Sequence, residues 1–314
     1  MPWLRSRHTH GQETLPGLRM GDVMDLFLLK RMTPKRHKVT FVLFCISCLL
    51  LLSHTLALPA PSIPRRIISL VPNITEELFD LGVQDRLVGV TTYCQRPAAA
   101  QSKERVGAVV EVNVEKILNL QPDLVIASPL TDHKQLQKLQ SVGIRVEVFP
   151  PPRDFQDLCN GFLQLAHMVG REEQARAIIQ QAERELATIK GKVKGLAKPR
   201  VFVQIGERPL VAAGGDSFID DFVTFAGGVN IAREVKTSVY SREEVVRKNP
   251  DIIIIAKMGM AGEQEKALWV KYKTIRAVQT NKIFMVDPYR FCSPTPLSFV
   301  EQVRELVRLL HEAS

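Results

Sequence analysis

The sequence has few of the residues from which catalytic and metal centres are built. Its 314 residues contain seven histidines and five cysteines, and only three of each lie beyond residue 57. Beyond that point no two of them have the close spacing of a zinc site. The chain also lacks GxSxG, HExxH and GxxxxGK[ST] segments, and no GxGxxG follows a predicted strand. We therefore expect neither a catalytic residue nor a metal site built by the protein itself.

The cysteines beyond residue 57 are Cys94, Cys159 and Cys292. An odd number of cysteines cannot all form internal disulfides in an oxidising compartment. A bridge between Cys94 and Cys159 is compatible with the sequence, and so are three unpaired thiols, so the sequence leaves both states open.

Excess positive charge is scarce outside the N-terminal end. The formal net charge is +9, but residues 1–38 alone carry eight Lys or Arg side chains against three acidic ones. The rest of the chain is close to neutral for its length, so the high isoelectric point does not indicate nucleic-acid binding. We expect no nucleic-acid partner.

Residues 32–57 have the three parts of a secretory signal peptide. The basic start MTPKRHK precedes the 14-residue apolar run VTFVLFCISCLLLL, and SHTLA then ends in a small residue. Such a run is shorter than the ~20 residues that span a bilayer, which favours a cleaved signal over the alternative of an uncleaved anchor. We expect export of the chain, and we interpret residues 1–31 as an upstream extension or a misassigned start.

Two segments of the sequence repeat one motif. Residues 113–127 read NVEKILNLQPDLVIA, and residues 241–256 read SREEVVRKNPDIIIIA. Each has a glutamate at its third position, Glu115 or Glu243, and Pro-Asp seven and eight residues later. Each then continues into an apolar run that predicts a buried strand. The matched spacing predicts two lobes of similar construction.

A long amphipathic helix is predicted between the two repeats, over residues 171–195. Residues 171–194 read REEQARAIIQQAERELATIKGKVK, which places seven apolar residues on one helical face without an intervening proline. At ~1.5 Å per residue, some 22 residues of helix span roughly 33 Å, about the width of a small domain. Such a helix either joins two lobes as a strut or packs inside one large domain, and the flanking repeats favour the strut.

Strands and helices alternate on both sides of this helix, which predicts an α/β fold with mainly parallel sheets. We predict a first lobe over residues 64–170 and a second over residues 199–314, both Rossmann-like and joined by the single long helix. The first helix of the first lobe is expected to begin at an N-cap of Asn73 or Thr75.

The loops that follow the predicted strands form the candidate binding site, because ligands of open α/β sheets bind beyond the carboxyl ends of the strands. These loops hold polar, aromatic and basic side chains, namely Asn73, Tyr93, Arg96, Arg208, Tyr240, Tyr289, Arg290 and Phe291. Aromatic faces bury large apolar ligands, and arginine binds carboxylates and phosphates. The set favours a bulky, partly anionic ligand such as a corrinoid, a haem or a ferric chelate.

The order of the segments resembles the helical-backbone substrate-binding proteins of ABC importers. Besides the repeat, the segments IISLVPNITEELFDLG, LVGVTTYCQRP, GGDSFIDDFVTFAGGVNIA and VDPYRFCSP carry this resemblance, which covers about residues 64–312. It implies two lobes joined by one rigid helix and a periplasmic location. It also implies a non-enzymatic carrier that delivers cobalamin, a ferric siderophore or haem to a permease dimer with its ATPase subunits. Any metal would then arrive inside the ligand and not as a cofactor of the chain.

The cobalamin-binding branch of that family is the most similar, and its motifs imply roles for particular residues. Its ligand loop matches Tyr93, and its segment before Ser-Pro matches Asp287, Pro288, Tyr289, Arg290 and Phe291. Its two lobe-tip glutamates, which form salt bridges with arginines of the permease, match Glu115 and Glu243.

The sequence departs from that branch in its aromatic residues. Two tryptophans that the branch places against the corrin fall at about Val109 and Ser128, and the tryptophan of the later segment is Pro288. We therefore expect the cleft to be kept and its aromatic lining to differ. Cobalamin is the first expectation, a ferric siderophore or haem is the alternative, and a corrinoid- or haem-processing enzyme is the distant alternative.

Overall fold

The computed structural model describes residues 62–235, 239–256 and 262–312. These residues form two β-sheets covered by helices, as the sequence predicts. The expected signal peptide and the residues before it lie outside the described residues. Within the described ranges, no helix has both the length and the apolar character needed to cross a membrane.

The first sheet has five parallel strands in the order β3-β2-β1-β4-β5. The strands are β1 (Ile67–Ser69), β2 (Leu87–Val90), β3 (Glu104–Arg105), β4 (Leu124–Ala127) and β5 (Arg145–Val148). The helices of this lobe are α1 (Pro72–Asp80), α2 (Val114–Asn119), α3 (His133–Ser141) and α4 (Phe155–Val169). The inner strands β1 and β4 are buried on both faces, which explains why their sequences are nearly unbroken apolar runs.

The long helix α5 (Glu172–Val193) follows α4 directly. Gly170, with a φ of 68°, ends α4 in the left-handed conformation that favours glycine. The buried residues of α5 are the seven apolar residues of the predicted face, namely Ala175, Ile178, Ile179, Ala182, Leu186, Ile189 and Val193. This face packs against α4 and against the last long helix, α11 (Pro296–Val307). The helix thus joins the lobes and is also packed along its length.

The second sheet is also mainly parallel. Its strands are β6 (Arg200–Glu207), β7 (Leu210–Ala212), β8 (Val229–Asn230), β9 (Ile252–Ile255) and β10 (Ile283–Met285). Strands β10, β9 and β6 are neighbours in that order, and β8 also pairs with β6 in parallel, whereas β7 is antiparallel to β6. The helices before α11 are α6 (Phe218–Phe225), α7 (Arg242–Lys248), α8 (Gly262–Trp269), α9 (Arg276–Gln279) and α10 (Pro288–Cys292). The β6–β7 hairpin is where the second lobe departs from the topology of the first.

The aspartate of the repeated Pro-Asp pair has the same structural role in both lobes. Asp123 accepts the backbone N–H groups of Arg65 and Arg66 at 2.7 and 3.0 Å. Asp251 accepts the backbone N–H of Arg200 at 2.8 Å. In each lobe the carboxylate therefore holds the start of the neighbouring inner strand, β1 or β6.

An arginine at the start of each of these strands completes the anchor. The guanidinium of Arg66 donates to the carbonyl oxygens of Leu120 and Gln121, just after α2. The guanidinium of Arg200 donates to the carbonyl oxygen of Lys248, at the end of α7. Both arginines satisfy carbonyl groups that the helix end leaves without partners. The Pro-Asp half of the repeat is thus explained by the fold.

The start of α1 differs from the prediction. Pro72 occupies the first helical position and Val71 is the N-cap, which makes no side-chain capping bond. Proline is favoured there because its missing N–H would have had no partner in the first turn. The predicted caps lie inside the helix, where the Thr75 hydroxyl is buried and lies 3.1 Å from the Val71 carbonyl oxygen.

One hydrophobic core extends across both lobes and includes residues of both sheets and of α4, α5, α6 and α11. Within it, the ring of Phe155 on α4 lies 4.7 Å from that of Phe299 on α11. The Phe299 ring in turn lies 4.4 Å from that of Phe222 on α6. The backbone N–H of Phe155 also donates to Asp221 of α6 at 2.9 Å. The lobes are therefore fixed by shared packing as well as by the linking helix.

We expect Asp123→Ala to lower the free energy of unfolding by about 1 kcal/mol, because two backbone N–H groups at the start of β1 lose a charged acceptor. Urea denaturation at pH 7 measures this loss. Asp85→Ala is the matched control, since Asp85 is an exposed aspartate of the same lobe, and it should leave stability nearly unchanged. Equal stability of Asp123→Ala and the unsubstituted protein would contradict the anchoring role.

Candidate functional site

A cavity of about 980 Å³ lies at the carboxyl edge of the first sheet. Its lining includes residues that follow all five strands: 71–73 after β1, Tyr93 after β2, 108–111 after β3, 128–130 after β4 and 149–152 after β5. Ligands of open α/β sheets bind at this edge. The volume is at the upper end of the range for small-molecule sites, which suits a bulky ligand.

The remaining walls come from α4 and from the second lobe. Helix α4 contributes Asp157, Leu158, Gly161 and Phe162. The second lobe contributes Phe218, at the start of α6, and residues 289 and 292–294 in and after α10. Both lobes are thus needed to form the cavity.

The segment after β10 reaches the cavity on one face of the short helix α10. Asp287 is its N-cap and accepts the backbone N–H groups of Tyr289 and Arg290. Residues 289, 292 and 293 all line the cavity, because positions three and four apart share one face of a helix. Phe291 lies on another face and is fully buried, with its ring 5.0 Å from that of Phe222.

Only Tyr289 of the predicted ligand segment 287–291 therefore reaches the cavity. Asp287 serves as a cap, Pro288 is the first residue of α10, and Phe291 belongs to the core. Arg290 is half-exposed and has acidic neighbours, with Asp287 at 3.8 Å and Glu301 at 4.0 Å. The prediction treated this segment as a loop, and the helical turn is what separates its side chains.

Arg208 also lies away from the cavity. It is in the turn between β6 and β7, with a largely exposed side chain that pairs with Glu207 at 2.9 Å. It borders a separate polar pocket of about 510 Å³ together with Arg242, Glu265 and Lys271. The sequence did not indicate that β7 turns back along β6, and this hairpin carries Arg208 away from the predicted ligand site. Asn73 and Tyr93, in contrast, both line the cavity.

Arg96 connects the two lobes beside the cavity. Its guanidinium Nη2 lies 2.9 Å from the Glu76 carboxylate of α1, in an ion pair. The same nitrogen donates to the carbonyl oxygens of Tyr289 and Ser293 at 3.3 Å each. Because Tyr289 and Ser293 line the cavity, this bridge fixes their position relative to the first lobe.

The charged side chains of the cavity are acidic. Glu77, Glu111 and Asp157 line it, and no Lys or Arg does so among the described residues. Asp157 is paired with Arg153 at 2.6 Å, outside the lining. The basic contact that the sequence predicted for an anionic ligand is therefore not found in the described part of the cavity.

Two other carboxyl groups of α1 face the second lobe. Burial raises the pKa of Glu76 to about 6, against the lowering effect of Arg96. Burial also raises the pKa of Asp80 to about 6, against the lowering effect of a contact with Thr295. The carboxylate of Glu301 on α11 raises both pKa values further.

The positions expected to have lost tryptophan belong to the cavity. Val109 and Ser128 both line it, and their small side chains leave space that an aromatic ring would fill. Trp269 lies elsewhere, fully buried, with its indole N–H donating to Gln204 at 2.7 Å. The aromatic residues of the lining are Tyr93, Phe149, Phe162, Phe218 and Tyr289.

The cysteines at positions 94, 159 and 292 are free thiols. Burial raises the pKa of Cys159 to about 12 and that of Cys292 to about 11. Cys292 lines the cavity, and at neutral pH its side chain there is a neutral thiol. Across the residues that the structure describes, no group of three or more His, Cys, Asp or Glu side chains could hold a metal ion.

Glu115 and Glu243 occupy equivalent places in the two lobes. Each is exposed and lies in the first turn of a helix, α2 or α7. The N-caps Asn113 and Ser241 accept backbone N–H groups at 2.9 and 3.1 Å. Neither glutamate has an ion-pair partner in the described part of the chain. A negative charge in the first turn is stabilised by the helix dipole, and among the described residues no side-chain contact adds to that effect.

Several lining residues were not predicted from the sequence. The loop 149–152 follows a predicted strand, so the rule that selected the other loops would also have found it. Gly161 and Phe162 on α4 and Glu77 on α1 gave no such signal. Helix periodicity shows which residues share a face, but only the packed lobes show which face meets the cavity.

Comparison with known proteins agrees with this architecture. Residues 67–289 match the sequence profile of a family described as periplasmic binding protein. The vitamin B12-binding protein of Yersinia pseudotuberculosis is 28% identical over 260 residues, which cover 82% of this chain and 91% of that protein.

Solved structures of periplasmic proteins are similar over the same part of the chain. One is a possible iron-binding (periplasmic solute-binding) protein from Staphylococcus epidermidis, with a TM-score of 0.72 and 25% identity; the match covers 80% of this chain and all of that one. Another is the periplasmic vitamin B12-binding protein of Vibrio cholerae, with a TM-score of 0.67 and 25% identity; the match covers 79% and 97% of the two chains.

We expect the pH dependence of stability to change in Asp80→Asn. The pKa of Asp80 is raised on folding, so its contribution to stability is fully present below about pH 4 and is lost as the pH rises through about 6. Asparagine removes this loss, so the stability of the variant relative to the unsubstituted protein should rise from about pH 4 to about pH 6 and then stay level. Urea denaturation at pH 4, 5, 6 and 7 measures the difference, with exposed Asp85→Asn as the control. A difference that does not vary with pH would contradict this account.

Proposed function

This chain belongs to the periplasmic binding protein family, and we propose that it is an exported carrier that captures cobalamin or a related corrinoid between its lobes. It delivers this ligand to the permease dimer of an ABC importer, which works with its ATPase subunits. Its role is binding and not catalysis. The observation that carries the proposal is the large cavity at the carboxyl edge of the first sheet, which is closed by α10 and α6 of the second lobe.

The character of the lining favours a corrinoid. Most of its side chains are apolar, aromatic or proline, and no described Lys or Arg is among them. Cyanocobalamin has no net charge, because its one phosphate offsets the positive charge of the corrin–cobalt centre, and the carboxamides at its periphery need no cationic partner. The similarity to vitamin B12-binding proteins of Yersinia pseudotuberculosis and Vibrio cholerae supports the same choice.

The second candidate is a ferric siderophore or haem. The similarity to a possible iron-binding protein of Staphylococcus epidermidis favours it. Val109 and Ser128 line the cavity, and the expectation that the cobalamin branch has tryptophan at about these positions also supports the second candidate. Haem carries two carboxylates, however, and no Lys or Arg among the described lining residues is available to pair with them.

Calorimetric titration of residues 58–314 with cyanocobalamin, haemin and a ferric siderophore, run in parallel, tests the choice of ligand. We expect one-to-one binding of cyanocobalamin that is at least tenfold tighter than binding of either other ligand. Tight binding of haemin or the siderophore without cyanocobalamin binding would overturn the corrinoid assignment and support the second candidate.

We expect Gly161→Leu to weaken ligand binding at least tenfold without loss of folding. A Cβ at Gly161 would meet no atom within 4 Å, so the larger side chain extends into the cavity. Gly191→Leu is the matched control, because Gly191 is also a helical glycine with no atom within 4 Å and lies outside the cavity lining. Both variants replace a helix-weakening glycine and should remain folded. Titration with cyanocobalamin measures affinity, and unchanged affinity in Gly161→Leu would place the ligand elsewhere.

The two exposed glutamates are the proposed contacts with the permease. Glu115 and Glu243 sit at matching positions of the two lobes without ion-pair partners among the described residues. A permease dimer offers two similar surfaces, and two similar charged contacts on the carrier would complement them.

We expect the double variant Glu115→Lys/Glu243→Lys to abolish uptake and to leave ligand affinity unchanged. The control is Glu173→Lys/Glu183→Lys, which makes the same change of charge at exposed positions of α5. Uptake of labelled ligand into cells or permease vesicles, together with titration of the purified variants, separates the two effects. Uptake at the unsubstituted rate by the first double variant would rule out this docking surface.

A further inference from the structure

Glu77 is a buried carboxyl group within the proposed ligand site. Glu77 lies on α1, is only 2% exposed and lines the cavity. Its side-chain oxygen accepts a long hydrogen bond, 3.4 Å, from the amide of Asn73, one turn earlier on the same helix. Asn73 lines the cavity as well, so the two side chains form a polar pair in a largely apolar wall.

Among the described residues, no cation compensates Glu77. The charged neighbours that act on it are Glu76 and Asp80 of the same helix, and both are acidic. On α4, the titratable group that interacts with Glu77 is the thiol of Cys159, whose pKa Glu77 helps to raise. This thiol is neutral. The nearby Arg96 is paired with Glu76.

Burial without a counter-ion disfavours the carboxylate form. Burial raises the pKa of Glu77 well above its usual value, the acidic neighbours raise it further, and only the Asn73 amide lowers it. Burial beside other acidic groups therefore favours the carboxylic acid form of this side chain, which has one O–H donor and one carbonyl acceptor.

A carboxylic acid and a primary carboxamide are complementary. The acid O–H donates to the amide carbonyl, and the amide N–H donates to the acid carbonyl. A ligand carboxylate offers only acceptors, so it can make one of these two bonds and leaves the other polar group unpaired. Such mismatches at buried polar groups are a strong source of discrimination.

We propose that Glu77, together with Asn73, is a specificity-determining pair that binds a neutral primary carboxamide on the edge of the ligand and rejects a carboxylate at the same place. This inference rests on the proposed corrinoid function and adds the chemical group that is recognised. Corrinoids carry several primary carboxamides around the ring, whereas haem carries carboxylates. The pair would thus separate the two ligand classes that the overall shape of the cavity admits.

The test is titration of residues 58–314 and two variants, Glu77→Gln and Glu77→Leu, between pH 6 and pH 9. The probes are cyanocobalamin and its isomeric monocarboxylic acids, in which one peripheral carboxamide is hydrolysed. Glu173→Gln, at an exposed position of α5, is the control for loss of a negative charge. Near-ultraviolet circular dichroism checks that each variant is folded.

We expect the unsubstituted protein to bind cyanocobalamin about tenfold more tightly than one of the monocarboxylic acids. Its affinity should fall as the pH rises through the raised pKa of Glu77, because ionisation removes the O–H donor. Glu77→Gln keeps a donor and an acceptor, so it should bind cyanocobalamin without this pH dependence. Glu77→Leu should lose the discrimination between amide and acid at every pH.

Two results would overturn the proposal. In the first, the unsubstituted protein binds cyanocobalamin, but Glu77→Gln has the same pH profile of affinity or Glu77→Leu discriminates equally between amide and acid. Glu77 then does not recognise the carboxamide, and the proposed corrinoid function stands. If the unsubstituted protein binds no corrinoid, the proposed function fails and this inference fails with it. The titration of the unsubstituted protein alone separates these cases.

Discussion

The apolar face of α5 is the constraint on which the rest of the structure depends. Its seven buried residues pack against α4 of the first lobe and α11 of the second, so one core continues through both lobes. Opening the lobes widely would expose the rings of Phe155 and Phe299, which meet within that core. The fold therefore favours a cleft of nearly fixed shape over a hinged one, and recognition must depend on the chemistry of its walls.

The walls combine a largely apolar surface with a few acidic side chains. The loops after the five parallel strands supply most of the surface, and α10 adds Tyr289, which Arg96 ties to Glu76 across the lobes. With no described Lys or Arg in the lining, the carboxylates of a ligand would find no cationic partner, whereas carboxamides need none. This argument from charge agrees with the argument from similarity, although the two are independent.

The aspartates and the glutamates of the sequence repeat have different roles in the structure. Asp123 and Asp251 hold the starts of the inner strands through backbone hydrogen bonds. Glu115 and Glu243 keep the same spacing from those aspartates but are exposed and have no ion-pair partner in the described ranges. The structural repeat places the two glutamates at equivalent positions of the two lobes. A partner with two similar surfaces could contact both of them in the same way.

Local patterns in the sequence were sufficient for the α/β class, the two lobes, the face of α5 and the loops around residues 73, 93 and 128. Each of these depends on periodicity, turn residues or strand ends, which are properties of neighbouring residues. The positions of Phe291, Arg290 and Arg208 were decided by a helical turn in α10 and by the β6–β7 hairpin. Glu77, Gly161 and Phe162 became cavity residues only through the packing of α1 and α4 between the lobes. Which face of a helix meets a cavity depends on contacts between residues far apart in the chain, and one sequence does not encode those contacts in any local pattern.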